Sequence, residues 1–436
     1  MLEPSVQAKS GAVRRYLESA PVIAFSVYAI AAAFLTYFSM YAFRKPFAAG
    51  TYKGLEAFGM SLKDILIISQ VMGYALSKWL GVKFVTELPA HRRALGLIIL
   101  IAVAEVALVL FAVVPNQLKV VAIFINGLPL GAVWGLVFGF LEGRRTSEIL
   151  GAGLSCSYII ASAAVKSVGI WVHEDLGIQE MWMPAFTGLM FLPLFLVTVW
   201  MLKQLPPPSA EDIEARVERE PMDREQRHAF VRQFFLGLLA LTALYFFLTA
   251  FRDYRDNYAA EIFAELGYGK KPGAITKAEL PIPFIVMFAL GMLYLIKSNR
   301  LGLLFAHFMM LFGVVLIGVS TLLLDAEMIS PIVWYIGVGL GLYLAYVPYG
   351  CVLFDRMIAA VGVVATAVFM IYVTDAAGYV GSIGVVLYKH FANADLSALG
   401  FLRKFAYFTS VFCSACFVMS AVYFWHRSRP PKEERS

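Results

Sequence analysis

Two arginines are the residues of this chain best placed to do chemistry. Each closes a copy of one eight-residue pattern, YFSMYAFR from Tyr37 to Arg44 and YFFLTAFR from Tyr245 to Arg252, and the copies agree at five positions while lying 208 residues apart. Both arginines sit in apolar surroundings, where a charge at membrane depth costs several kcal/mol or more unless it faces a polar cavity or a partner. The planar guanidinium fork makes bidentate, charge-assisted bonds to phosphate or carboxylate. On a helix Tyr37, Tyr41 and Arg44 share a face, as do Tyr245, Thr249, Arg252 and Asp256. Each stripe offers hydroxyls and then a guanidinium, a lining suited to an anion with an organic moiety. The alternative is a lock between helices, for which Asp253 and Asp256 stand close to Arg252.

Other charges lie in apolar segments. Lys45 follows Arg44 and either meets a ligand or snorkels to the outer interface. Lys78, between Ser77 and Trp79 in mid-segment, has no route to either interface and fits a cavity or a buried ion pair. Lys166, nearer the end of its segment, is expected to snorkel. Asp375, in YVTDAAGYVG, is the most isolated carboxylate and needs a cation or a proton. Glu142 is expected to bridge to Arg144 or Arg145.

The elements that hold these residues are membrane helices. Of 436 residues 60% are hydrophobic and 15% charged, a balance that a water-soluble surface of this size does not tolerate. A spanning helix needs roughly 20 apolar residues. Twelve such stretches start near Pro21, Leu62, Ala94, Lys119, Ile149, Met183, Phe234, Leu280, Leu301, Ile329, Val361 and Phe401. One long hydrophilic interruption, 204–233, opens with Pro206, Pro207 and Pro208 and reads as a linker. The expected organisation is a bundle at 1–203, the linker, and a second bundle at 234–436. With six spans in each half the paired motif runs in the same direction twice, a parallel repeat. The fourth and tenth spans, INGLPLGAVWG and GVGLGLYLAYVPYG, echo it more weakly.

The net charge of +6 does not signal nucleic acid, because the basic residues alternate between loops. Arg14, Arg15, Arg92, Arg93, Arg144, Arg145, Lys203, Arg224, Arg227, Lys297, Arg300, Arg356, Arg427 and Arg429 fall on one side of the twelve-helix count, which by the positive-inside rule is the cytoplasm, with both termini. Trp171, Trp182, Trp200, Trp334 and Trp425 are expected at the interfaces. No cleavable signal is expected, because the first twenty residues are polar and of mixed charge. Cys156, Cys351, Cys413 and Cys416 all fall in spans and form no disulfide framework. Gly127, Gly131, Gly135, Gly139 and Gly143 recur every four residues along the fourth span, a smooth face for close helix packing or for sliding of one helix on another.

The six-plus-six parallel repeat with a charged middle loop resembles the major facilitator superfamily, an all-α membrane fold of two six-helix bundles. Within it AFRKPFAAG, GYALSKWLG and NGLPLGAVWG resemble the organophosphate:phosphate antiporters. That resemblance implies that Arg44, Lys45, Lys78 and Arg252 surround a substrate phosphate. It also implies that the second and eleventh helices face each other, so Asp375 is expected to pair with Lys78, or otherwise Arg44, as a gate strut or proton-coupling group. GVKFVTELPAHRR departs from the superfamily loop by lacking its aspartate-arginine step, leaving Glu87 as a stand-in. DYRDNYAAEIF, after Arg252, departs from the antiporter pattern.

The expected function is a secondary transporter of a small organic anion, a phosphate ester favoured, in the bacterial inner membrane. It is expected to act as a monomer with no cofactor or metal, with Tyr37, Tyr41, Tyr245, Arg44, Lys45, Lys78 and Arg252 at the substrate and Asp375 and Asp256 in gating or coupling. The alternatives are a membrane-embedded sensor of the same ligands and a proton-coupled carrier of a non-phosphate substrate. No nucleotide loop of the type GxxxxGK[ST] and no histidine in metal-ligand spacing occurs, which weighs against a pump and an intramembrane enzyme.

Overall fold

A computed structural model of the chain describes residues 11–142, 144, 146–209, 212, 224–269, 271, 273–363, 367–392 and 395–428. Residues 210, 211 and 213–223 of the linker, together with Gly143, Arg145 and Arg429, lie outside the described residues. The long helices are α1 (Val22–Tyr41), α2 (Leu62–Glu87), α3 (Arg93–Val113), α4 (Asn116–Phe138), α5 (Ser147–Glu174), α6 (Met183–Lys203), α7 (Arg224–Asn257), α8 (Ala274–Leu293), α9 (Asn299–Asp325), α10 (Pro331–Cys351), α11 (Ala367–Ala392) and α12 (Ala398–Arg427). Eleven are long and apolar enough to cross a bilayer, and α2, with 26 residues, completes the twelve. We call the end where α1 begins and α12 finishes the terminal face, and the opposite end the far face.

Local chemistry sets the helix ends. Ser61, Ser298, Ser330 and Ser397 cap α2, α9, α10 and α12 by accepting from the amides of Asp64, Leu301, Val333 and Gly400. The two copies of the repeat part company here. Pro46 lacks an N–H and its ring collides with the carbonyl of Ala42, so α1 stops at Tyr41 and Arg44 lies in a turn before a short 3-10 helix, Pro46–Ala49. No proline follows Arg252, and α7 runs on to Asn257. The expected i, i+4, i+7 helical face therefore holds for the second copy and is broken in the first.

The apolar part of the seventh helix starts where expected, at a kink at Phe234 (φ −114°, ψ 19°) that separates it from a charged helical lead-in described from Arg224. One span start is corrected. Val361 ends an amphipathic loop helix, Leu353–Val361, closed by Gly362 in the left-handed conformation (φ 68°), and α11 starts at Ala367. Trp334 is also corrected. It is fully buried and donates to Thr321 at 3.1 Å, so it belongs to the core of the second bundle.

Helices α1–α6 pack as one bundle through the pairs α2–α4, α3–α4, α1–α5 and α3–α6, and α7–α12 as another through α9–α10, α7–α11 and α9–α12. The glycine ridge works inside the first bundle. A Cβ at Gly127 would come within 2.6 Å of the Gln70 carbonyl oxygen, and one at Gly131 within 2.8 Å of that of Tyr74, so these glycines bring α4 onto α2. They do not line a sliding surface between bundles. Between the bundles, α2 meets α11 and α5 meets α8.

The apolar cores show where the bundles are joined. Phe47, Tyr52, Leu62, Leu66, Phe111 and Ile123, all at the far end of the first half, belong to the same buried cluster as Phe251, Tyr254, Tyr258 and Phe263 of the second. Toward the terminal face the first half keeps a core of its own, including Leu136, Leu141, Leu150 and Leu154, to which Tyr379 is the one contributor from the second half among the described residues. The bundles are thus sealed together at the far face.

Candidate functional site

Charged residues gather on the helices that meet between the bundles, at two levels. Near the far face, Asp256 of α7 receives Lys45 at 2.6 Å, Lys166 at 2.6 Å and the Ser162 hydroxyl at 2.5 Å. Lys45 also donates to Asn257 at 2.9 Å. Beside this cluster Lys63 pairs with Glu261, Tyr258 donates to Asp64, and the Thr276 hydroxyl bonds Ser167 at 2.8 Å. Every one of these contacts joins the first half to the second. The lysine side chains are sealed, with 7%, 1% and 5% exposure for Lys45, Lys166 and Lys63.

Snorkelling fails for Lys45 and Lys166 because a fixed carboxylate on the opposite bundle is nearer than any interface. In this state Lys45 is held by Asp256 and Asn257, and Asp256 sits in the far-face lock.

Deeper toward the terminal face the side chains keep solvent contact. Lys78 reaches Asp375 at 2.7 Å, with 29% and 16% of the two side chains exposed. The other oxygen of Asp375 accepts from the Tyr245 hydroxyl at 2.7 Å, and Tyr245 in turn bonds Tyr346 at 2.8 Å. Arg252 donates to Tyr346 and lays its fork on Asp253, at 2.9 and 2.7 Å. Asp253 also accepts from Ser382 at 2.5 Å. One chain of hydrogen bonds therefore runs Asp253, Arg252, Tyr346, Tyr245, Asp375, Lys78, crossing from α7 to α2. Thr249 does not join it. It is buried against Gly378 of α11, and its hydroxyl has no partner.

Arg44 differs from every other cation here. Its guanidinium carbon lies 3.9 Å from the ring centre of Tyr74 and 5.7 Å from that of Tyr41, and its Nε is buried without a hydrogen-bond partner. Among the described residues no carboxylate pairs with it. The backbone beneath is held firmly. Gln70 donates to the Arg44 carbonyl at 2.8 Å and to Asn126 at 3.0 Å, and Asn126 donates to the Phe43 carbonyl at 2.9 Å. Tyr37 and Tyr41 pack edge to face at 5.6 Å and are both buried, which makes them a wall behind Arg44. At the level that keeps solvent contact, Arg44, Lys78 and Arg252 face only Asp253 and Asp375 among the described residues, one more positive charge than negative. That excess favours an anion.

Sequence reasoning missed Tyr74, Tyr346, the Lys63 and Asp64 contacts, and the buried pair of Arg255 and Glu279 (2.5 Å), which braces α7 within its own bundle. The two charges at the start of the second span, LKDIL, were a readable signal for the Lys63 and Asp64 contacts. Arg144 donates to the Pro206 carbonyl, and Arg145, the other expected partner of Glu142, lies outside the described residues.

Loss of one member of a buried ion pair typically costs about 3 to 5 kcal/mol, because the other charge is stranded. Lys78→Ala should lower thermal stability, and adding Asp375→Asn should restore part of it. Strictly additive effects would show that the pair contributes nothing to the folded state.

The chain belongs to a family of unknown function, DUF5690, whose model matches residues 46–427. No curated protein sequence matches it. Among solved structures it is similar to a D-xylose-proton symporter, at 12% identity over 95% of this chain and 99% of that one, with a TM-score of 0.57. It is similar also to a bacterial homologue of the human lysosomal transporter Spinster, at 11% identity over 93% and 98%, TM-score 0.59. A third is a bacterial homologue of the human drug peptide transporters PepT1 and PepT2, at 11% over 91% and 98%, TM-score 0.59. At these identities the likeness is one of fold, and the fold is that of the major facilitator transporters, twelve helices in two bundles.

Proposed function

We propose that this member of the family is a secondary transporter of a small organic anion, working by alternating access, with Arg44 as the group that receives the anion. The observation that carries the reading is Arg44, whose Nε is buried without a hydrogen-bond partner and whose guanidinium meets no carboxylate among the described residues, on a backbone fixed by Gln70 and Asn126 and backed by tyrosine faces. A buried donor left unsatisfied costs about 1 to 3 kcal/mol, more when it is charged, and an anion removes that cost. The buried far-face lysines, the apolar core that joins the halves there and the solvent contact of Lys78 and Arg252 support entry from the terminal face in this state. The basic residues of that face support a cytoplasmic location for it and for both termini, and the bacterial inner membrane as the membrane.

An anion bound at Arg44 competes with Asp375 for Lys78. Drawing Lys78 away breaks the chain through Tyr245 and Tyr346 to Arg252, which ties α2 to the second bundle on the terminal side of the Lys63 and Asp64 contacts. Ligand binding and rocking of the bundles are in this way the same event. A phosphate ester is the class we favour. It rests on the motifs around Arg44, Lys78 and Gly127, and on a second negative charge able to recruit Lys78.

A stability screen of purified protein with phosphate esters, carboxylates and neutral sugars tests the reading, because a ligand specific for the folded state raises its melting temperature. Anions should stabilise the wild type and leave Arg44→Ala unmoved. Stabilisation by neutral sugars alone would overturn it.

A further inference from the structure

Glu105 is the acidic residue of α3, RALGLIILIAVAEVALVLFAV, eight residues and about 12 Å from the far end of that helix. Both carboxyl oxygens are shielded from solvent, and neither has a hydrogen-bond partner. The niche is built for it. A Cβ placed at Gly188 of α6 would lie 2.3 Å from a carboxyl oxygen and 3.0 Å from the Phe43 ring, so a side chain there would have to displace the carboxyl. The charged groups on the neighbouring elements are all engaged elsewhere or distant. Arg44 stacks on Tyr74, Lys45 pairs with Asp256, and Lys119 of α4 donates to the Phe111 and Ala112 carbonyls at 2.6 and 3.4 Å. The remaining charges, Lys203 on α6 and Arg93 on α3, stand at the terminal face.

An ionised carboxylate without donors in such a place costs several kcal/mol, whereas the neutral acid needs one acceptor. We propose that Glu105 is a proton-binding site and that its occupancy is read by the segment Phe43–Lys45, which presents the anion-binding arginine, so that the carrier is coupled to protons. The link is physical. Asn126 bridges the carbonyls of Phe43 and of Ala104, the neighbour of Glu105, at 2.9 and 3.0 Å. Phe43 closes the niche from the other side. When the acid gives its proton to solvent the carboxylate must find donors that this packing lacks, and the segment and α6 must part to admit them. The coupling half of the proposal rests on the transporter reading, while the proton site does not.

The test uses purified full-length protein and protons alone. Infrared difference spectra at neutral pH should contain a C=O stretch from a protonated carboxylic acid that is lost in Glu105→Gln and lost in the wild type as pH is raised. In parallel, a cysteine pair at Ser167 and Thr276 reports far-face closure. Its cross-linked fraction should fall with rising pH in the wild type relative to Glu105→Gln at each pH, because glutamine mimics the neutral acid. Should Glu105→Gln fail to fold, Gly188→Ala, which crowds the carboxyl, must shift the same infrared titration. Absence of the Glu105 band overturns the proton site. A band with identical cross-linking in both proteins overturns the coupling. No anion enters either readout, so failure of the Arg44 reading would leave both results interpretable.

Discussion

Arg44→Ala protein should fold, reach the membrane and lose saturable anion binding. Removing one hydrogen-bonded charge from a desolvated contact costs about 2 to 5 kcal/mol, roughly 30- to several-thousand-fold in affinity. Folding should survive because the guanidinium contributes no ion pair to the structure, whereas the backbone of its segment is held by Gln70 and Asn126. Arg44→Lys keeps the charge and loses the fork, so it should bind weakly. Arg252→Ala is expected to differ in kind. Its fork is laid on Asp253 and its Nη1 on Tyr346, so truncation strands a buried carboxylate and should lower stability as well as activity. Equal affinity in folded Arg44→Ala protein would remove this residue from the site.

The second large effect is expected at Asp256. Asparagine there leaves Lys45 and Lys166 without their common counter-charge, a loss of about 3 to 5 kcal/mol in a contact that holds the bundles together at the far face. The equilibrium should move toward a state open on that face. In a background lacking Cys156, Cys351, Cys413 and Cys416, the cross-linked fraction of cysteines at Ser167 and Thr276 should drop in Asp256→Asn. An unchanged fraction would mean that the apolar seal around Phe47, Tyr258 and Phe263 suffices alone.

The helices were legible because bilayer thickness imposes a length that apolar runs display directly, and the Tyr37–Arg44 and Tyr245–Arg252 copies marked the two halves. Partnerships were less so. Sequence position gives the depth of a charge along a helix but not the direction in which it points across the bundle. Lys166 and Asp256 lie 90 residues apart, and nothing local says that α5 turns one toward the other. Depth alone made Lys45 and Lys166 look like interfacial residues, and adjacency made Asp256 look like a partner of Arg252, which bonds its immediate neighbour Asp253 instead. Lys78 and Asp375 were matched through the expected facing of the second and eleventh helices, a relation between elements that the resemblance supplied. Glu105, a lone acid in an apolar run, was passed over in favour of Asp375, and its significance appears only with Gly188 and Phe43 around it.

Anion counterflow in proteoliposomes tests the central claim most directly. Vesicles holding wild-type protein and loaded with an anion that stabilises it should take up the labelled anion saturably and faster when the same anion is inside, and vesicles holding Arg44→Ala should not. Stabilisation without any flux in the wild type would make the protein a binder and not a carrier, and undiminished flux in Arg44→Ala would contradict the account.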